Sequence, residues 1–207
     1  MTKMLYVTSP YTGELIESIK LDTEEELACK VEKAVAAQKD WEKIKLTERA
    51  KLLYCLLDNL SAKNEEFGAI LAKEMAKPIR EGTAECISAA EIGRGYIERA
   101  KHLYGDVLTA TTAGRERDLN FTRREALGVV AAIIPFNYPI EMFIHKLIPA
   151  LIMGNSVIVK APSSNPLAIK ALVGLAHETG IPEDVLQFTA CGREVCTKAL
   201  LTNPGVA

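Results

Sequence analysis

The chain has 207 residues, of which 48% are hydrophobic and 25% charged, and its formal net charge at pH 7 is -2. This composition is typical of a globular protein with a real core, and the balance of charges excludes binding to nucleic acid or to a membrane surface by charge alone. Its start lacks the pattern of a signal peptide, and no apolar run reaches the ~20 residues of a membrane helix, so we expect a cytoplasmic protein.

The N-terminal part predicts a hairpin followed by amphipathic helices. Residues 6–16 contain two β-prone runs around a turn rich in Ser, Pro, Thr and Gly. Thr23 and Glu26 form a possible capping box, after which apolar residues recur at helical spacing. Thr47 is a candidate cap of a second helix, and a third apolar stripe is expected to end at Pro78. These helices need a partner surface for their apolar sides.

A change of pattern separates this part from the rest of the chain. A fourth helix is predicted over residues 79–104, and residues 105–124 are then rich in Thr, charged and interrupted by Gly. We interpret the second segment as a projecting hairpin or arm.

The last third of the chain alternates strands with helices. The predicted strands and helices occupy residues 127–134, 140–153, 156–160, 166–179 and 185–189, in that alternating order. Continuous apolar runs indicate strands buried on both faces, and residues 203–207 resemble the start of a fourth strand. This βαβαβ order predicts an α/β fold with a right-handed, doubly wound parallel sheet of the nucleotide-binding type.

The loop PFNYP at residues 135–139 is the first candidate for a site, because ligands of such sheets bind beyond the C-terminal ends of the strands. Its Asn137 lies between two aromatic residues, where we expect a poorly solvated amide that could donate to a developing oxyanion. The alternative is that Asn137 only bonds its own turn, as Asn commonly does.

Two further loops follow the next strands. KAPSSNP at residues 160–166 places Lys160 before small hydroxyl residues, which suits ribose hydroxyls or a phosphate. An equally good interpretation is a solvated Lys160 with Asn165 as an N-cap. TACGR at residues 189–193 is a small-residue turn but not a GxGxxG, so the usual pyrophosphate fingerprint is missing.

The five cysteines suggest neither a disulfide framework nor a zinc site, because they are odd in number and lack CxxC spacing. The three histidines are scattered, and we predict no metal site. Cys29, Cys55 and Cys86 are interpreted as buried small hydrophobes, and Cys191 and Cys196 as turn and helix residues.

The motifs at these loops resemble those of the aldehyde dehydrogenase superfamily. The family's PxNxP loop, its K-x-x-P-A-L-x-x-G-N helix and its V-x-K-P-x-E-x-x-P segment correspond to PFNYP, to KLIPALIMGN at residues 146–155 and to VIVKAPSSNP at residues 157–166. Further matches are ETGIP at residues 178–182 for E-x-G-x-P, Pro204 and Val206 for H-P-x-V, and Lys77 and Pro78 for E-x-G-K-P. The resemblance covers essentially the whole chain.

The resemblance implies N-terminal helices, the first half of a Rossmann-type parallel sheet and an oligomerisation hairpin. We accordingly expect a hairpin and helical part at residues 1–106, an oligomerisation arm at residues 107–125 and a cofactor-binding unit at residues 126–207. A homodimer or homotetramer is expected of the intact protein.

The resemblance also implies roles for individual residues. Asn137 would be the side-chain half of the oxyanion hole, in place of a turn residue. Lys146 resembles a lysine implicated in proton relay, with packing on the helix surface as the alternative. Pro135 and Phe136 would line the nicotinamide end, and Lys160 would hold the adenosine ribose. The implied cofactor-binding residues together are Ile134, Pro135, Phe136, Lys160, Pro162, Ser163 and Gly192.

Two departures from the family pattern concern the cofactor. NAD-preferring members have Glu where this chain has Ser163, and a hydroxyl can donate to a 2′-phosphate that a carboxylate would repel. We therefore predict NADP as cofactor, with NAD possible. The family's G-x-G-x-x-x-G appears as ACGREVC at residues 190–196, which keeps only Gly192, and one residue is inserted before Pro204.

The family's activity is oxidation of a small-molecule aldehyde to a carboxylic acid with reduction of NAD(P). Its catalytic cysteine and general-base glutamate belong to motifs that follow position 207, so we expect this chain alone to be inactive. A CoA-acylating dehydrogenase and a non-catalytic nucleotide-binding or assembly fragment are the alternatives.

Overall fold

The computed structural model describes residues 3–103 and 105–207. Strands β1 (Met4–Thr8) and β2 (Leu15–Lys20) pair antiparallel and confirm the predicted hairpin. The helices that follow are α1 (Glu24–Lys43), α2 (Leu46–Ala62), α3 (Asn64–Met75) and α4 (Ile79–Ala100). Helix α4 ends at Ala100, so the predicted helix over residues 79–104 is too long, and its expected last residue lies outside the described ones.

Side-chain hydrogen bonds between neighbouring residues determine where helix α1 begins. The Thr23 hydroxyl accepts from the Glu26 N–H at 3.2 Å, and the Glu26 carboxylate accepts from the Thr23 N–H at 3.0 Å. The predicted capping box is therefore confirmed. The prediction for Thr47 was wrong, because α2 begins one residue earlier and Lys45 is its N-cap.

The end of α3 also differs from the prediction. The helix stops at Met75, and Ala76 caps it in the left-handed conformation with φ 57°. Pro78, which we expected to end this helix, instead lies at the N-cap of α4. Ala76 carries a Cβ in a conformation that favours glycine, so it holds local strain.

Three parallel strands form the central sheet in the order β5 (Val129–Ile133), β6 (Ser156–Lys160) and β7 (Leu186–Thr189). Helix α5 (Pro139–Ile152) connects the first two strands, and α6 (Leu167–Glu178) connects the last two. The predicted βαβαβ unit is confirmed, with element ends within two residues of the expected positions.

The segment after β7 crosses back over the sheet. A short helix, α7 (Arg193–Cys196), runs into a π-helical turn (Thr197–Leu201), and Val206 then forms a parallel bridge with Val129 of β5. Since β6 occupies one edge of β5, Val206 lies at the other edge. The strand order therefore reverses at β5, and this switch point is where open α/β sheets bind ligands.

Helices cover both faces of the sheet. Val157 and Val159 of β6 pack in a hydrophobic cluster with α2, α4, α5 and α6. Ile158, which points the other way, packs in a second cluster with α1 and the C-terminal helical segment. The N-terminal helices thus find their partner surface on the sheet and its crossover helices.

The predicted arm is a two-stranded ribbon in which β3 (Val107–Leu108) pairs antiparallel with β4 (Asn120–Phe121). Both strands are exposed. In the part of the chain that the structure describes, no helix is long and apolar enough to span a bilayer.

Candidate active site

The PFNYP loop joins the end of β5 to the start of α5 and presents Asn137 at the surface. Asn137 is exposed and its side chain forms no hydrogen bond with any described residue. The expectation of a poorly solvated amide was wrong, because Phe136 and Tyr138 are 65% and 44% exposed and do not enclose it. The alternative, an amide bonded within its own turn, is not seen among the described residues either.

A buried asparagine ties this loop to the next one. Asn165 is 1% exposed, and its side-chain amide donates to the backbone oxygen of Phe136 at 2.8 Å. The Ser164 hydroxyl donates to the Asn165 side-chain oxygen, also at 2.8 Å. The interpretation of Asn165 as an N-cap is wrong, since the N-cap of α6 is Pro166. Asn165 instead holds the loops after β5 and β6 together.

A buried ion pair fixes the start of α5. The Glu85 carboxylate accepts from the backbone N–H groups of Ile140 at 2.8 Å and Glu141 at 3.2 Å. It also accepts from the Lys77 ammonium at 2.5 Å, and the side chains of this pair are 0% and 5% exposed. The Lys77 nitrogen lies 3.7 Å from the ring centroid of Tyr138. Helix α4 and the segment before it therefore set the position of the loop that carries Asn137.

A second carboxylate from the N-terminal helices fixes the start of α6. Glu74 of α3 accepts from the backbone N–H groups of Leu167 at 2.7 Å and Ala168 at 2.9 Å. Burial raises the pKa of Glu74 to about 7, against the lowering effect of these two hydrogen bonds. Both crossover helices thus obtain their caps from residues far away in the sequence.

Sequence reasoning missed these positioning residues, although a signal for two of them was present. Glu74 lies seven residues after Phe67 and three after Leu71, so it lies on the apolar face of α3. Glu85 likewise directly precedes the buried Cys86. A carboxylate on an apolar helical face must find a partner, because an unpaired buried charge is costly.

A cleft of about 390 Å³ lies where the three strands end. Its lining residues are Ile133, Lys160, Ser163, Cys191, Arg193, Cys196, Thr197 and Leu201. Lys160 stands opposite Ile133 of β5 and Thr189 of β7 in the strand register. Among the described residues its ammonium has neither a carboxylate partner nor a hydrogen bond. The cleft therefore offers a half-buried cation, an apolar wall and the hydroxyl of Ser163, which has no hydrogen-bond partner within the described part of the chain; these features fit a nucleotide.

The remaining predicted cofactor residues are distributed around this cleft. Ile134 is buried and its N–H donates to the Lys160 oxygen at 3.1 Å. Pro162 is buried and Pro135 is exposed on the PFNYP loop. Gly192 lines a separate cleft with Asp22. The structure thus brings Lys160 and Ser163 together, and it places Gly192 between Cys191 and Arg193, which line the same cleft.

Lys146 is exposed on α5 and forms no ion pair with the residues that the structure describes. Nothing in its contacts assigns it a packing role, which was the alternative to a function in proton transfer.

The cysteines are all free thiols in two kinds of environment. Cys29 and Cys55 are exposed, so their interpretation as buried hydrophobes was wrong. They lie on the solvent side of α1 and α2, opposite the apolar stripes. Cys86 is buried, and burial raises the pKa of its thiol to about 12, which keeps it protonated at neutral pH. Burial also raises the pKa of Cys191, which with Cys196 lines the Lys160 cleft.

Comparison with known proteins adds the family. The profile of the Aldehyde dehydrogenase family matches residues 1–207. Similar curated proteins include a 3-sulfolactaldehyde dehydrogenase of Priestia aryabhattai, 38% identical over 91% of this chain and 40% of that protein. The NADP-dependent glyceraldehyde-3-phosphate dehydrogenase of Streptococcus equinus is 36% identical over 90% of this chain and 40% of that protein. The chain thus spans about two fifths of the length of these relatives.

The fold has a match among solved structures. The crystal structure of an NADP-dependent glyceraldehyde-3-phosphate dehydrogenase from Bacillus halodurans C-125, complexed with NADP, superposes with a TM-score of 0.94. It is 31% identical, and the match covers 99% of this chain and 43% of that chain. The family profile, the relatives and the α/β fold agree with one another, and the chain belongs to the aldehyde dehydrogenase family.

Proposed function

We propose that this chain supplies the dinucleotide cleft and one oxyanion donor of an enzyme that oxidises an aldehyde to a carboxylic acid with reduction of NAD(P). The observation that carries this proposal is the Lys160 cleft at the switch point of the sheet. It lies next to a loop that presents an unbonded side-chain amide, at Asn137. The relatives named above are aldehyde dehydrogenases by name and support the same reaction.

The chain's own residues contribute binding and electrostatic stabilisation. When bound, the nicotinamide accepts a hydride from the substrate carbon. The Asn137 amide donates to the carbonyl oxygen as negative charge develops there, and such donors contribute roughly 3 kcal/mol in mutational tests. Lys160 binds the adenosine end, and Ile134, Pro135 and Phe136 form the wall at the nicotinamide end. We assign Lys146, exposed about two helical turns beyond the loop, to proton relay.

NADP is the proposed cofactor, and NAD is a possible second one. The cleft wall includes Ser163 and no carboxylate, so nothing in it repels a 2′-phosphate. The Bacillus halodurans protein was crystallised with NADP. Binding titrations with NADP and NAD test this assignment, and Ser163→Glu is expected to shift the preference towards NAD. A strong preference of the unaltered protein for NAD would contradict it.

The 207-residue chain is proposed to oxidise no aldehyde by itself. Cys86 is held as a protonated thiol, Cys191 and Cys196 line the cofactor cleft, and Cys29 and Cys55 lie on outer helical faces. None of these positions suits a thiolate next to the Asn137 amide. Purified chain, NADP and a panel of small aldehydes give the test, and sustained turnover would refute this part of the proposal.

Two alternatives remain in view, namely CoA-acylating chemistry and a non-catalytic nucleotide-binding or assembly module. Product analysis of the complete enzyme, with and without CoA, separates carboxylic acid from acyl-CoA. In that enzyme, Asn137→Ala is expected to lower kcat about 100-fold or more. Loss of nucleotide binding with unchanged kcat would argue against the oxyanion role.

The arm is proposed to pair copies of the intact protein into a homodimer or homotetramer. Two-stranded ribbons this short are not stable alone, and Val107, Leu119 and Phe121 are exposed at its surface. Sedimentation of the intact protein tests this, with Phe121→Asp expected to yield monomers. A cytoplasmic location is proposed as well, because the exposed free thiols fit a reducing compartment. Cell fractionation tests the location.

A further inference from the structure

The wall of the Lys160 cleft carries a second cation that sequence reasoning left without a role. Arg193, the first residue of α7, lines this cleft together with Lys160 and Ser163. The cleft lining contains two cations and no carboxylate. Within residues 3–103 and 105–207, the guanidinium of Arg193 has no ion pair or hydrogen bond. The positive charge at this place is therefore uncompensated.

Neighbouring acids do not neutralise Arg193. Glu194, the next residue, is paired with Lys198 at 2.9 Å. Arg193 also borders the separate cleft that contains Asp22, but that carboxylate accepts from Lys30 at 2.5 Å and from the Thr189 hydroxyl at 2.6 Å. Of the acids around both clefts only Glu24, in the first turn of α1, is left as a competing partner.

The backbone of Arg193 is held while its side chain is exposed. The Thr197 hydroxyl donates to the Arg193 backbone oxygen at 3.0 Å, and the Cys196 N–H donates to the Gly192 oxygen at 2.9 Å. The side chain thus starts from a defined position on the rim of the cleft. An exposed guanidinium can turn towards a ligand in the cleft without disturbing the core.

We propose that Arg193 is a specificity-determining residue that binds the 2′-phosphate of NADP, opposite Lys160. This inference rests on the proposed function and extends it to Arg193, which follows the one retained glycine, Gly192, at a position that the family's glycine-rich pattern leaves open. A guanidinium presents a planar fork of donors that matches a phosphate, whereas Lys160 acts as a point charge and Ser163 as a hydroxyl donor. NAD has a neutral hydroxyl at this place, so Arg193 favours NADP alone.

The test compares variants in binding titrations of the protein with NADP and NAD, and with 2′,5′-ADP and 5′-AMP as shorter probes. Arg193→Gln is expected to weaken NADP and 2′,5′-ADP about tenfold and to leave NAD and 5′-AMP within about twofold. Arg193→Lys, which keeps the charge but not the fork, is expected to lie between. Arg80→Gln, an exposed arginine of α4, is the matched control and should change none of the four affinities.

The outcomes separate this inference from the function on which it rests. Equal losses for NADP and NAD, or no loss for NADP, in Arg193→Gln would overturn the role of Arg193 and leave the cofactor assignment standing. Failure of the unaltered protein to bind either dinucleotide would remove both.

Discussion

Removal of the Glu85 charge should destabilise the fold more than any other single charge change at the site. In Glu85→Gln the buried Lys77 ammonium keeps only the face of the Tyr138 ring at 3.7 Å, while an amide oxygen replaces the acceptor of the Ile140 and Glu141 N–H groups. Breaking a buried pair costs about 3–5 kcal/mol; the cation–π contact is present before and after the change and offsets none of this loss, whereas the amide oxygen that replaces the carboxylate places the loss near the lower end. We expect a net loss of about 3 kcal/mol, a large part of the stability of a typical domain.

Removal of the Lys77 charge should lower the stability of the fold by less than removal of the Glu85 charge. In Lys77→Met the Glu85 carboxylate keeps two N–H donors, so we expect a loss of about 2 kcal/mol. Urea unfolding of both variants and of the double variant gives the coupling energy between the two side chains, and Glu91→Gln, an exposed glutamate of the same helix, is the control. Hydrogen exchange should report faster exchange at the start of α5. A Glu85→Gln protein as stable as the Glu91→Gln protein would refute the reasoning.

Four further changes test the packing around the site. Because the folded pKa of Glu74, about 7, lies above its ordinary value of 4.5, folding takes up a proton there. Glu74 therefore stabilises the fold most below about pH 4.5, and this contribution falls by on the order of 3 kcal/mol as the pH rises through 7. Unfolding measured across this range should lose that slope in Glu74→Gln, and parallel profiles would contradict the assignment. Ala76→Gly should raise stability by about 0.5–1 kcal/mol in thermal or urea unfolding, since it relieves the left-handed strain; a loss would count against that strain. Gly82→Ala should lower stability by roughly 1 kcal/mol or more, because its Cβ would lie 3.1 Å from the Gly68 Cα across α3 and α4. Gly95→Ala, on the open side of the same helix, should raise it by about 0.5–1 kcal/mol, and equal effects of the two glycine changes would exclude a close helix contact there.

Structural features whose interacting residues lie close together in the sequence could be predicted. The capping box of Thr23 and Glu26 spans three residues, so its chemistry is readable from the letters alone. The strand at residues 156–160 was predicted with its observed ends, because residues 157–159 form a continuous apolar run between Ser156 and Lys160. The spacing of residues does not indicate what the loops after the strands do. The resemblance to the family's motifs supplied the expected roles of these loops.

The caps of α5 and α6 could not be predicted in this way. Glu85 lies 55 residues before Ile140, and Glu74 lies 93 residues before Leu167. No local pattern links such pairs, since tertiary packing alone brings them together. The exposed Cys29 was readable in principle, because it is two residues from both Leu27 and Val31 and so faces away from their stripe. The exposure of Asn137 depends on the orientation of the Phe136 and Tyr138 rings. The residue types alone do not determine that orientation.

The wide turn at residues 197–201 offers a place for the one-residue insertion that we predict before Pro204. The Thr202 N–H donates to the Thr197 oxygen five residues back, so one coil of backbone absorbs the extra length. Val206 therefore still reaches Val129 in step, and the sheet is undisturbed. Thr197 and Leu201 of this turn line the Lys160 cleft. At a π-helical turn of this kind, a residue can be inserted or deleted next to a ligand site while the strands keep their alignment.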